Sequence, residues 1–179
     1  MAATQEVVPA AVLSDDNNAT FEEMMAVARE KAALEPKADD QEEAVTRGLI
    51  VNRQKNNLTM HLYDQHNWYG NPVPSFPSSI IIQMHPVEFK HKGPLPQGSK
   101  GGVVYADQKS FPPRKWLLAF DLLKKKVYVE AGPIGPTDWN VVEVKLDASE
   151  DRSTYEDSIF GGKASGSNDG KNVFAMFYN

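Results

Sequence analysis

The chain has 179 residues, 41% of them hydrophobic and 24% charged, with a formal net charge of −5 and no cysteine. That is room for one domain with a sizeable core, and the lack of cysteine excludes disulfides, thiolate metal sites and cysteine nucleophiles together. The charge is uneven, with eleven acids against four bases in residues 1–48 and thirteen against fifteen in residues 49–179. The near-neutral body lacks the clustered basic face of a nucleic-acid surface, so no nucleic-acid partner is expected.

Residues 1–19 are small, polar and aperiodic, and predict a flexible tail. They hold no basic region followed by an apolar run, and no stretch reaches the ~20 apolar residues of a membrane span. The expectation is a cytoplasmic chain without a transmembrane segment. Next, "TFEE" reads as a capping box, with Thr20 at the N-cap and Glu23 three residues on. Phe21, Met24, Met25, Ala28 and Ala32 repeat at helical spacing, and Pro36 closes the run. A second short helix is predicted in "DDQEEAVTRG", with acids early, Arg47 late and Gly48 as the stop. Residues 20–48 thus form a helical arm docked through its apolar stripe.

From residue 49 to 179 short strands are expected. "NLTMHLY" alternates, with Leu58, Met60 and Leu62 on one side. "SSIIIQM", "PVEFKH", "GGVVYAD", "KWLLAFDLL", "KVYVEA", "WNVVEVKL" and "KNVFAMFYN" follow, each β-branched or aromatic and fenced by turn residues. Such a series predicts an antiparallel β-sandwich or barrel. "DASEDRSTYED" reads as a solvated acidic loop, "GGKASGSNDG" as a flexible loop, and Lys124–Lys126 as a solvated turn.

Chemical motifs are sparse. His61, His66, His85 and His91 show no metal-ligand spacing, and no metal or cofactor is expected. The stretch "HNWYGNPVPSFP", His66 to Pro77, is more informative. Gly70 and three prolines predict a loop here. Its rings are either a lid over the end of the sandwich or a platform for a ligand, since Trp and Tyr offer flat apolar faces with one polar handle each.

The blocks "NNLTMHLYDQHNWYG", "FPSSIIIQMHPVEFKH", "GSKGGVVYADQ" and "KWLLAFD" resemble the plant jasmonate-induced protein family, named for the 23-kilodalton protein of cereals. The matching positions are Asn57, Trp68 with Gly70, Phe76-Pro77, Gly98-Ser99 with Gly101 to Tyr105, and Trp116 to Phe120. The resemblance implies a cytosolic stress and defence protein with no assigned catalytic residue. Its β-rich body is similar in kind to aegerolysin and actinoporin sandwiches, which bind lipids or sugars, a likeness of fold alone.

Three functions stay open. The first is a non-enzymatic protein that binds a carbohydrate or lipid headgroup, with Trp68 and Tyr69 stacking and Tyr63, His66 and Asn71 making polar contacts. The second is a small isomerase or cyclase using His61, Tyr105 or Asp107, which requires those groups to converge in one apolar pocket. The third is an interaction protein that engages a partner, or a second copy as a homo-oligomer, through the acidic arm.

Overall fold

The structure is a computed structural model that describes residues 15–34, 42–55, 58–81, 86–109 and 111–179. The expected tail up to residue 14, the stretch 35–41, Asn57 and His85 lie outside the described residues. Helix α1 spans Asp15–Leu34, so it starts five residues before Thr20.

The second helix expected in "DDQEEAVTRG" does not form over residues 43–48, the part of that stretch that lies in a regular element. Glu43–Arg53 is strand β1, paired on one side with β5 (Val87–Pro94) and on the other with β11 (Asn172–Tyr178). The acidic-then-basic order looked helical, but Ala44, Thr46, Gly48 and Ile50 alternate inward, and partners on both sides override a local preference. The remaining strands are β2 (Met60–Tyr69), β3 (Asn71–Val73), β4 (Ser79–Ile80), β6 (Lys100–Asp107), β7 (Arg114–Asp121), β8 (Lys126–Pro133), β9 (Arg152–Glu156) and β10 (Lys163–Asn168).

These strands form two packed sheets, one ordered β3-β5-β1-β11-β10-β9 and the other β4-β2-β6-β7-β8. The fold is thus a mainly β sandwich with a short N-terminal helix. Its pairings are antiparallel except β1 with β11, which run parallel. Ile50, Phe76, Phe89, Tyr105, Trp116, Phe120 and Phe177 fill the space between the sheets. Two asparagines stitch the layers: Asn52 Nδ2 donates to the Ile80 carbonyl at 3.1 Å, and Asn168 Nδ2 to the Asp121 and Lys126 carbonyls at 2.9 Å.

Three further expectations are corrected. "WNVVEVKL" is not a strand: helix α2 spans Trp139–Ala148, and Asp138 caps it by accepting from the amides of Asn140 and Val141. Its valines are β-branched, but Val142 and Leu146, four apart, are the residues it buries. "GGKASGSNDG" is not a flexible loop, because β10 lies inside the six-stranded sheet. A Cβ on Gly166 would sit 2.8 Å from Val129 and 3.0 Å from Val127, so small side chains here let the two sheets approach. "DASEDRSTYED" supplies edge strand β9 rather than a loop throughout.

Helix α1 lies on the outer face of the six-stranded sheet. Phe21 and Met25 pack against Val51, Phe174, Met176 and Tyr178, and the Phe21 and Phe174 rings meet edge-to-face at 4.8 Å. Arg152 to Glu22 at 2.6 Å and Arg29 to Asp169 at 3.3 Å border that contact. Both pairs are largely exposed, so the apolar contact contributes most of the docking energy. Helix α2 covers the outer face of the other sheet, on Val104, Leu117 and Ala119.

Candidate functional site: the aromatic face of β2

The segment His66–Tyr69 is the end of β2 and not a loop. Gly70 then turns the chain out of the five-stranded sheet into β3 of the other one. Gly70 has φ +88°, and a Cβ there would lie 2.1 Å from the Lys92 carbonyl oxygen, so only glycine fits this crossing. Pro72 is accepted because β3 is a three-residue strand at the edge of its sheet. The loop proper begins at Pro74, and Phe76 leaves it to enter the core beside Phe89.

On the outer face of β2, His66, Trp68 and Trp139 form one cluster. His66 stacks on Trp139 at 5.4 Å, while Trp68 meets His66 at 4.9 Å and Trp139 at 5.8 Å, both edge-on. The Trp139 indole N–H donates to Asp64 Oδ2 at 3.1 Å, which fixes the ring and leaves its faces for packing. Gly102 provides the room, since a Cβ at that position would lie 2.5 Å from the Trp139 ring. Lys100 closes the cluster with its Nζ 5.4 Å from the Trp68 ring centroid and 2.7 and 3.3 Å from Glu143 and Asp147 of α2. Burial works against this ammonium, but the hydrogen bonds it donates to Glu143 and Asp147 outweigh that and hold its pKa above the ordinary lysine value.

The five candidate residues therefore occupy different settings. His66 and Trp68 touch, and both are half-buried. Tyr69 and Tyr63 stand on the same strand with 45% and 38% of their surface exposed. Asn71 is exposed on the neighbouring sheet, where it pairs with Lys92 of β5. Register shifts at Leu62/Asp64 and Asn67/Tyr69 break the simple alternation of β2, so parity in the sequence does not tell which of these rings face out. Beyond Leu62, β2 is the outer strand of its sheet among the described residues, since β4 pairs only with Met60 and His61. The sequence reading missed Trp139, Asp64 and Lys100. The capping residue Asp138 was the signal that Trp139 opens a helix.

Behind this face lies a polar network between the sheets. His91 is fully buried, with Nδ1 2.8 Å from Ser99 Oγ and Nε2 3.1 Å from Asn67 Oδ1, and Ser99 Oγ is 2.6 Å from Thr46 Oγ1. Burial lowers the His91 pKa to about 4, so the ring is neutral at physiological pH. The network links β1 and β5 of one sheet to Asn67 on β2 of the other, next to Trp68.

The groups considered for acid–base work do not converge. His61 is exposed and alternates with Leu62, the residue that pairs with Tyr105 and packs in the core. Tyr105 is buried and donates to the Pro77 carbonyl at 2.8 Å, and burial raises its pKa. Asp107 accepts from the Lys109 amide at the end of β6. Among the described residues, no group of three or more His, Asp or Glu is arranged to hold a metal ion, and no helix is long and apolar enough to cross a membrane.

Solved structures share this architecture. The lipid-binding protein Nakanori superposes with a TM-score of 0.60 at 14% identity, over 90% of this chain and 79% of its own. The Xerocomus chrysenteron lectin XCL superposes with a TM-score of 0.50 at 9% identity, over 76% of this chain and 98% of its own. At such identities the likeness shows the fold alone: a two-sheet sandwich of the kind found in a lipid-binding protein and in a lectin. In sequence, the chain is similar to the jasmonate-induced protein homolog of Atriplex canescens, 30% identical over 113 residues, and this supports the jasmonate-induced family resemblance. The match covers 56% of this chain and 60% of that relative. No protein-family model matches the chain.

Proposed function

We propose that this chain is a non-enzymatic binding protein that takes a carbohydrate or a lipid headgroup on the outer face of β2. The observation that carries the proposal is the pair of exposed tyrosines, Tyr63 and Tyr69, on an outer strand whose neighbouring rings are locked by Trp139 and Lys100. Rings held on a rigid strand lose little entropy on binding. In this reading Tyr69 stacks on the ligand, Tyr63 and Asn71 supply polar contacts, and Trp68 with His66 forms the floor. The two structural neighbours, a lipid-binding protein and a lectin, support the ligand class, and the jasmonate-induced relative of Atriplex canescens fits a role in plant stress and defence, for which we propose a cytoplasmic location.

The test is a glycan and lipid array probed with wild type, Tyr63→Ala, Tyr69→Ala and Trp68→Ala, with a melting curve for each. Tyr69→Ala should lose binding and keep its melting temperature, as expected for an exposed contact residue. Trp68→Ala should lose both, because its ring is packed. Wild type that binds nothing, or a Tyr63→Ala/Tyr69→Ala double variant that binds as wild type does, overturns the proposal.

A further inference from the structure

Two loops meet at the end of the sandwich where β6 passes to β7. Asp107 and Arg114 are cross-strand partners, and the chain between them carries Phe111-Pro112-Pro113. Glu156 and Lys163 pair in the same way, and the turn between β9 and β10 carries Ile159-Phe160. Arg114 Nη1 donates to the Gly161 carbonyl at 3.0 Å, which holds the two loops side by side. Asp157 Oδ1 accepts from the amides of Ile159 and Phe160 at 2.9 and 3.2 Å, so the second turn is fixed from within.

Phe111 is 100% exposed, Ile159 81% and Phe160 38%. Single exposed apolar side chains are ordinary, but three on two joined loops form a patch. Size and charge narrow its partner. The three side chains offer roughly 400 Å² of apolar surface, about half of the ~800 Å² that each side of a stable protein interface buries. Residues 107–114 and 156–163 hold three bases, Lys109, Arg114 and Lys163, and three acids, Asp107, Glu156 and Asp157. A balanced rim does not select a charged partner, and the transfer of apolar side chains out of water is the driving force that remains. Side chains on narrow loops suit a fluid bilayer, which closes around them without a shape-matched pocket.

We propose that this end of the sandwich docks on the surface of an electrically neutral lipid bilayer, with Phe111 and Ile159 entering the acyl boundary and Phe160 at its edge. The proline pair and the Asp157 turn already hold these side chains in place, so little order is lost on docking. The surface shares no residue with the tyrosine face of β2, so either can fail without the other.

The test is titration of the full chain with phosphatidylcholine vesicles. The chain has no cysteine, so Ile159→Cys and Lys171→Cys can each carry a single environment-sensitive fluorophore. Lys171 is exposed at the opposite end, between β10 and β11. The label at 159 should shift to the blue and be quenched by a quencher on the lipid acyl chains, and the label at 171 should do neither. Unlabelled Phe111→Ser should keep its melting temperature, since the ring is fully exposed, and should partition roughly tenfold or more less well onto the vesicles. Wild-type binding should persist in about 0.5 M salt, which screens charge and leaves apolar transfer in place. The Tyr63→Ala/Tyr69→Ala variant should bind these vesicles as wild type does. The proposal is overturned if wild type binds no neutral vesicles or only anionic ones, if both labels respond alike, if folded Phe111→Ser binds as wild type does, or if the tyrosine variant loses the vesicles while Phe111→Ser keeps them.

Discussion

His91 should make the stability of this protein fall as the pH drops from 7 to 5. The ring is fully buried between Asn67 and Ser99, and burial holds its pKa near 4 against 6.5 for a free histidine. A folded pKa below the unfolded value means that the unfolded chain binds the proton more readily. Stability is therefore complete above pH 6.5 and is lost as the pH falls toward 4. For these two pKa values the loss is about 2 kcal/mol at pH 5 and approaches about 3 kcal/mol below pH 4. Urea unfolding at pH 7.5, 6 and 5 measures it, with His91→Gln as the reference that keeps a polar side chain but cannot titrate. The wild type should lose about 2 kcal/mol more than His91→Gln does over that span. The His91 ring proton resonance gives a second readout. A midpoint near 6.5 in the folded protein, or parallel stability profiles for the two proteins, refutes the burial argument.

Two other substitutions probe the packing. Trp116→Ala empties a fully buried site between the sheets and should cost about 3–5 kcal/mol by urea unfolding; a soluble variant of near wild-type stability contradicts that placement. Phe21→Ala removes the ring that meets Phe174 and should cost about 3 kcal/mol. It should also raise proteolytic cleavage within α1, and unchanged cleavage with an unchanged melting curve would show that α1 is not held by this contact.

Much of the architecture was legible in the residues alone. "GGVVYAD" and "KWLLAFD" are continuous runs of small, β-branched and aromatic residues, and they became β6 and β7, buried strands in the middle of a sheet. Phe21, Met25 and Ala28 repeat at helical spacing, and they are the residues that α1 buries. Burial patterns of this kind are local, because each residue's partition between water and core repeats with the period of its own element. What failed was wherever a distant neighbour decided the outcome. "EAVTRG" reads as helix until β5 and β11 pair with it, and "KASGSN" reads as loop until Val127 and Val129 press against Gly166. The candidate site shows the same division. Trp68 and Tyr69 are adjacent, chemically similar rings, and the sequence has no means to separate them. Tertiary structure separated them: Trp68 meets Trp139 and Lys100, while Tyr69 stays in solvent. Trp139 lies more than seventy residues away on a helix that the valine content had disguised, and its contact with Trp68 is made only by the docking of α2 on the sheet. Side-chain type and period are properties of a segment, but the exposure of one ring depends on what the rest of the chain brings to it.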